Sequence, residues 1–294
     1  MKIDVAISGG GIKGYALLGA IQELEEKGFS FEQFAATSSG AILASLYSAG
    51  YKSEEIQRMF TTVDVSKFLD SRKTCSLIPF SKWLFLYWKM GLYQGNYLEV
   101  WLEQMLKRRG VYTFKDLPKN KLRIIAADIT NGKLLVLPDD LHQYGIEKET
   151  FPVARAVRMS CSLPYIFEPV KLKSLGETAL IVDGGILSNF PIWLFVDKNG
   201  KKKRPVIGLK LTAKADDLPA RKIKNSIQLF ESLFTAMKNA HDAKYVSRKL
   251  EKQIVFIPTN HLSTTDFSIT DERKNALIEL GRYHTKEFLK TWSY

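Results

Sequence analysis

Near the amino terminus apolar residues come in short runs broken by glycine, and farther along they recur at helical spacing. Residues 3–8 (IDVAIS) form a short apolar run of the kind that makes a buried strand. Gly9-Gly10-Gly11 interrupts it, and residues 14–27 (GYALLGAIQELEEK) then set Leu17, Leu18, Ile21 and Leu24 on one helical face. A second strand is predicted over 32–37, turning abruptly at Ser38-Ser39-Gly40 into the helical stretch ILASLYSAG. This β-α-β-α opening implies an α/β fold with a parallel sheet covered by helices. Further strands are predicted over 122–128, 134–137, 179–182, 206–211 and 253–257. Amphipathic helices are predicted over 96–108, 226–249 and 271–290, with Ser268 and Thr270 as caps for the last. There is no internal repeat, low-complexity tract or Pro/Ser-rich linker. One domain over residues 1–294 is therefore expected, with a core over 3–210 and a C-terminal strand and helices over 220–294.

Composition adds bounds. Of 294 residues, 45% are hydrophobic and 12% aromatic, enough for a sizeable core and unlike a disordered chain. The run Val5-Ala6-Ile7-Ser8 is too short for the apolar region of a secretory signal. No stretch approaches the roughly 20 apolar residues of a transmembrane helix. The two cysteines, Cys75 and Cys161, give neither metal spacing nor a disulfide framework. The expectation is a soluble, cytoplasmic protein with no metal. Lys and Arg number 43 against 31 Asp and Glu, a net charge of +12, which suits an anionic partner without separating nucleic acid from an acidic membrane. The densest basic run, Lys201-Lys202-Lys203-Arg204, lies between Asn199-Gly200 and Pro205 and reads as a solvated turn.

Two turns carry candidate chemistry. Gly9-Gly10-Gly11-Ile12-Lys13-Gly14 fits the dinucleotide pattern G-x-G-x-x-G between a strand and a helix. That reading expects an acid at the tip of the second strand to hold a ribose, but the tip is Ala36-Thr37-Ser38-Ser39-Gly40, and Glu32 sits at the other end. Gly14 is followed by Tyr15, so the loop is not a P-loop either. Its physical content is more general: successive glycines let backbone N–H groups converge at the positive end of a helix, beside Lys13. Such a cradle stabilises a phosphate or the oxyanion of an acyl intermediate; a glycine turn serving only tight packing is the plainer alternative.

The second turn matches small-x-Ser-x-small, with Ala36 and Gly40 flanking Ser38 at two residues on either side. A serine at a sharp strand-to-helix turn projects its hydroxyl from the sheet, and its neighbours must be small for the chain to turn. Ser39 is the rival nucleophile, and a helix N-cap is the plain role for either serine. Activation needs a base within reach. None of His142, His241, His261 and His284 lies in a glycine-rich turn after an apolar strand, whereas Ile181-Val182-Asp183-Gly184-Gly185 puts a carboxylate at a strand tip. Asp-Gly-Gly alone is commonly a hairpin turn. Next to the other two turns, it points to a Ser38–Asp183 dyad, each residue closing a strand of one parallel sheet.

With these turns in view, the chain resembles the patatin-like phospholipases. The resemblance rests on Gly9–Gly14, on Ala36–Gly40, and on Asp183-Gly184-Gly185 followed by Asn189-Phe190-Pro191. It extends through Gly91-Leu92-Tyr93-Gln94-Gly95, Ala127-Asp128-Ile129-Thr130-Asn131-Gly132, Ser160-Cys161-Ser162-Leu163-Pro164, Phe167-Glu168-Pro169 and Thr264-Thr265-Asp266-Phe267, in order over residues 3–280. It implies a three-layer α/β/α sandwich with a mainly parallel sheet and a Ser–Asp dyad needing no histidine, cofactor or metal. It also implies an oxyanion hole at the glycine loop, with N–H groups near Gly10, Gly11 and Ile12, and Lys13 where the family has Arg or Lys. Ala36 replaces the family's usual glycine. The implied activity is a lipid acyl hydrolase of phospholipase A, lysophospholipase or esterase type. A scaffold that kept the fold without the activity is the reading opposed to it.

Residues 77–93 (LIPFSKWLFLYWKMGLY) gather Phe80, Trp83, Phe85, Tyr87, Trp88 and Tyr93 with Lys82 and Lys89 among them. This composition suits either the headgroup region of an anionic membrane or a cap over the active-site cleft. The expected partners are a lipid acyl ester and, transiently, a membrane surface, but not nucleic acid.

Overall fold

The computed structural model describes residues 1–71, 86–174, 176–196, 203–212, 223, 226–245, 248–259 and 269–293. Its strands are β1 (Lys2–Ile7), β2 (Ser30–Thr37), β3 (Gly91–Tyr93), β4 (Leu122–Asp128), β5 (Lys133–Leu137), β6 (Tyr165–Phe167), β7 (Val170–Ser174), β8 (Glu177–Asp183), β9 (Val206–Thr212) and β10 (Ile254–Pro258). Its principal helices are α1 (Gly14–Glu26), α2 (Ser39–Ser48), α3 (Ser53–Thr62), α4 (Asn96–Lys107), α5 (Val153–Ser160), α6 (Ser226–Tyr245) and α7 (Asp271–Thr291). Eight strands form one sheet in the order β10-β9-β1-β2-β4-β8-β7, with β5 also on β4, while β3 and β6 pair separately. Helices flank the sheet, as expected.

The sheet has two halves of different character. From β10 to β4 every pairing is parallel, each strand reached by a crossover. Beyond that, β4 pairs antiparallel with β5 and β8, and β8 with β7. The expectation that Asp183 ends a strand of one parallel sheet is thus corrected. β7 and β8 are joined through a turn at Gly176, φ +94°, far too short for a crossover, and such a hairpin is antiparallel by construction.

The register on β4 decides where the two candidate residues fall. Ile124 and Ile125 pair with β5 on one side and with Ala36 and Thr37 of β2 on the other. Ala126 to Asp128 pair with β5 and with Asp183 to Ile181 of β8. Because a strand has only two edges, β2 and β8 share one edge of β4 and meet head to head. Thr37 stands opposite Ile125, and Asp183 opposite the next residue, Ala126.

Alternation along β1 and β2 explains their continuous apolar character. Ile3, Val5, Ile7, Phe34 and Ala36 face the larger core under the helices. Ala6 and Ala35 face a thinner layer with Val206 and Ile254, covered by Phe190, Ile192 and Phe195. The predicted one-sided α1 is instead buried all round from Gly14 to Leu24. The reason is α7, which crosses it so closely that a Cβ on Gly281 would lie 1.8 Å from the Ala16 carbonyl, and one on Gly19 1.9 Å from that of Ile278. Thr270 caps α7 by accepting the Arg273 N–H at 3.4 Å; Ser268, Thr264–Phe267 and His261 lie outside the described residues. Among the described residues no helix is long and apolar enough to cross a membrane.

Candidate active site

Ser38 sits between β2 and α2 with φ +52° and ψ −128°, a conformation that an L residue holds only when its surroundings impose it. Several contacts impose it. Ser38's carbonyl accepts the α2 N–H groups of Ala41 at 2.8 Å and Ile42 at 3.4 Å. Gly40 must be glycine, because a Cβ there would stand 2.6 Å from the Ser8 carbonyl and 2.9 Å from Ile7 Cγ2. Ala36 is fully buried between Ile7 and Ile124 on the neighbouring strands.

Ser38 and Asp183 line one cavity, and the Ser38 side chain acts on the Asp183 carboxylate, lowering its pKa. Asp183 is only 3% exposed, and its Oδ1 accepts the Gly185 N–H at 2.7 Å. Burial pushes its pKa up to about 6, against the lowering effects of the Ser38 hydroxyl, the Gly185 N–H and the charge of Lys238 on α6. A carboxylate so placed is ionised near neutrality yet basic enough to take a proton. Ser39, the rival, has a buried hydroxyl with no hydrogen-bond partner among the described residues.

The glycine loop lies against this pair. Gly9 donates its N–H to the Asn189 carbonyl at 3.2 Å, and a Cβ on it would meet Ser38 Cβ at 2.9 Å. Gly11 takes φ +57° and opens a short 3-10 turn, Gly11–Lys13, that runs into α1 at Gly14. Among the described residues, the N–H groups of Gly10, Gly11 and Ile12 make no hydrogen bond to a backbone carbonyl. Gly10, Gly11, Ile12 and Gly14 line a cavity that also reaches Ser38 and Asp183; Lys13, half-buried, is not among its walls.

That cavity encloses about 1040 Å³, part of it open to solvent. Away from the polar end its walls are apolar: Tyr15 from α1, Ile42 and Leu43 from α2, Phe60 from α3, Phe68, and Leu98 and Trp101 from α4. Phe60 and Phe68 pack on Trp101 with ring centroids 6.1 and 5.5 Å away. Phe234 and Lys238 of α6 complete the wall near Asp183. No described lining residue is a histidine. His142 is exposed and bonded to the Asp139 carbonyl at 2.8 Å, and His284 lies on α7. Among the described residues no cluster of three or more His, Cys, Asp or Glu could hold a metal ion.

Some neighbours have no role in the sequence reading, although Cys161 and Asn189 fall in stretches that carry the resemblance. Cys161, buried, lines the same cavity as Ser38; burial holds its thiol protonated, its pKa pushed well up. Asn189, 2% exposed, carries an amide nitrogen without a partner among the described residues. Lys238 reaches the site from 55 residues beyond Asp183 in sequence, which no local pattern announces.

Comparison with known proteins agrees with this architecture. The patatin-like phospholipase family matches over residues 5–196. The chain is 49% identical over 294 residues to the uncharacterized protein YqhO of Bacillus subtilis (strain 168), with 100% of both chains covered. It is 27% identical over 199 residues to the cUMP-AMP-activated phospholipase of Escherichia coli, covering 64% of this chain and 55% of that one. Among solved structures, VipD from Legionella pneumophila shares the fold with a TM-score of 0.60 at 18% identity, over 99% of this chain and 67% of VipD. With the matched segment running from β1 past the Asp183 turn, the chain belongs to the patatin-like phospholipase family.

Proposed function

We propose that this chain is a cytoplasmic lipid acyl hydrolase, of phospholipase A, lysophospholipase or esterase type, acting as one domain through a Ser38–Asp183 dyad. The observation that carries the proposal is the hydroxyl–carboxylate pair on the wall of a largely apolar cavity. Family membership supports the class of reaction.

The acyl chain of an ester lies along Tyr15, Leu43, Phe60 and Trp101, bringing its carbonyl to Ser38. Asp183 takes the hydroxyl proton as Ser38 Oγ attacks the carbonyl carbon. Negative charge then develops on the carbonyl oxygen, where the N–H groups of Gly10, Gly11 and Ile12 receive it at the start of α1. Losing one such donor typically costs about 2.7–4 kcal/mol of transition-state stabilisation. The leaving alcohol takes the proton from Asp183. Water, deprotonated by the same carboxylate, then attacks the acyl-serine carbonyl; the bond to Ser38 Oγ breaks, Oγ takes the proton back from Asp183, and the fatty acid is released.

A fluorophosphonate probe tests the assignment. The wild type labels at Ser38, whereas Ser38→Ala does not and Asp183→Asn labels far more slowly; an unlabelled wild type, or undiminished labelling of Ser38→Ala, sinks it.

Membrane docking belongs to the same proposal. Of residues 77–93, those at 77–85 lie outside the described residues. Tyr87 and Trp88 pack edge to face and are 77% and 69% exposed, and Trp and Tyr are the residues enriched at membrane–water interfaces. Sedimentation with anionic vesicles is expected to exceed that with neutral ones, and Tyr87→Ser with Trp88→Ser to reduce it. Equal binding to both vesicle types rejects the electrostatic part.

A further inference from the structure

We propose that Ser160, the last residue of α5, is the positioning residue that holds the Ser38 elbow in its reactive shape; this rests on Ser38 being the nucleophile. The starting point is the head-to-head meeting of β2 and β8 on one edge of β4. Where β2 leaves the sheet, the ladder along β4 is interrupted, because Ser38 abandons the strand conformation for φ +52°. The interruption threatens two polar groups with burial: the Ser38 N–H and the carbonyl of Ile125, the β4 residue opposite Thr37.

One hydroxyl serves both. Ser160 Oγ accepts the Ser38 N–H at 2.8 Å and donates to the Ile125 carbonyl at 2.6 Å. A hydroxyl both donates and accepts, so this side chain stands between the two groups as a relay. Ser160 is completely buried, which keeps water from taking its place in the folded protein. The two residues that follow hold the rest of the dyad. Cys161 lines the cavity beside Ser38, and the Ser162 carbonyl accepts the Asp183 N–H at 2.9 Å. Arg158, itself 3% exposed, anchors this turn by donating to Ser162 Oγ and to the carbonyls of Gln94 and Glu168. The end of α5 therefore sets nucleophile and base against each other from behind, without touching the cavity contents through Ser160.

The chemical consequence follows from what remains when the hydroxyl is removed. In Ser160→Ala the Ser38 N–H and the Ile125 carbonyl are freed to seek each other, drawing Ser38 towards a strand-like conformation and its Oγ away from Asp183. A misplacement of about 1 Å in a reacting group can cost 10²-fold in rate. A residue that only stabilised the fold would change the amount of folded protein and leave each folded molecule equally reactive.

The test is the second-order rate of fluorophosphonate labelling at Ser38, expressed per folded molecule, together with kcat and KM on a soluble short-chain acyl ester. For Ser160→Ala the expected result is a labelling rate and a kcat lowered by about 10- to 100-fold, with KM within twofold of wild type. A labelling rate within threefold of wild type, or a loss confined to KM, overturns the proposal. Should Ser160→Ala fail to fold, Ser160→Cys decides, since it keeps the size but offers a much weaker hydrogen-bonding group. Labelling slowed more than threefold supports the relay, and labelling within threefold overturns it. A wild type that never labels at Ser38 is a different failure: it removes the nucleophile itself, and the relay falls with it.

Discussion

The two halves of the site are built in opposite ways. The half around Ser38, the proposed nucleophile, is a contiguous parallel unit in which β1, the glycine loop, α1, β2 and α2 follow one another within residues 2–48. The half around Asp183, the proposed base, is assembled from distant pieces: Asp183 from the β7–β8 hairpin, the 160–162 turn behind it, and Lys238 from α6. In the first half steric necessity dominates, with glycines where backbone meets backbone. In the second half electrostatics dominates, since an almost fully buried carboxylate is kept there at the cost of its hydration. The elbow is thus shaped mainly by close steric contacts and braced by Ser160 from behind, whereas the carboxylate's basicity is set by long-range packing.

Substituting the two members of the pair sharpens the contrast most. Ser38→Ala and Asp183→Asn should each reduce acyl-ester hydrolysis by at least about 10³-fold, as for other dyad and triad members. Their stabilities should diverge. Asp183 has its pKa raised from 3.8 to about 6 by folding. A raised carboxylate pKa favours the folded state most when the group is protonated. Stability is therefore lost as pH rises from about 4 to about 6, and the deficit is fully present at neutral pH. Asp183→Asn should accordingly be more stable than wild type at pH 7, by up to about 3 kcal/mol from that shift, with the gain vanishing near pH 4. Denaturant melts at both pH values check it; an equal effect at both would show that burial of charge is not what the base half bears.

Gly40→Ala attacks the nucleophile half by sterics alone. Its Cβ would stand 2.6 Å from the Ser8 carbonyl, backbone against backbone, so the elbow must move. A loss of about 10²-fold in kcat is expected, along with about 1–3 kcal/mol of stability as for other overpacked sites. Kinetics and melts of the purified variant measure both, and unchanged kinetics would break the argument that this turn is sterically determined.

Lys238→Met tests the long-range half more gently. Lys238 lowers the pKa of Asp183, so removing its charge should move the acid limb of the kcat/KM profile to higher pH while leaving the activity at the plateau close to wild type. The smallest change concerns the cavity rather than the pair. Trp101→Ala removes the ring on which Phe60 and Phe68 pack, so the preferred acyl chain should lengthen. The expected change in relative kcat/KM across a chain-length series is about 10-fold, in keeping with about 1–3 kcal/mol per methylene in an apolar pocket.

Several of these features were legible in the sequence because their causes are local. The turn at Ser38 demands small neighbours within two residues, and the loop before α1 demands glycine, so spacing alone exposes both. The strand at 122–128 coincides with β4, and the helix predicted over 271–290 with α7 to within a residue. Short elements escaped: β3 and β6 have three residues each, too few for a period to register. α5 escaped as well, although it carries Ser160, because eight residues give barely two turns.

By itself the sequence determined the chemical parts: a glycine loop before a helix, a serine at a strand-to-helix elbow, and an aspartate before two glycines. Each depends on backbone sterics within a few residues, which spacing records. Only the tertiary structure decided that β8 runs against β4 and meets β2 end to end, so that Ser38 and Asp183 come to one cavity wall. It alone decided that burial lifts the carboxylate to about 6 and that Ser160 closes the gap between the strands. Those outcomes depend on desolvation and register between segments far apart in the chain, and no local pattern encodes either.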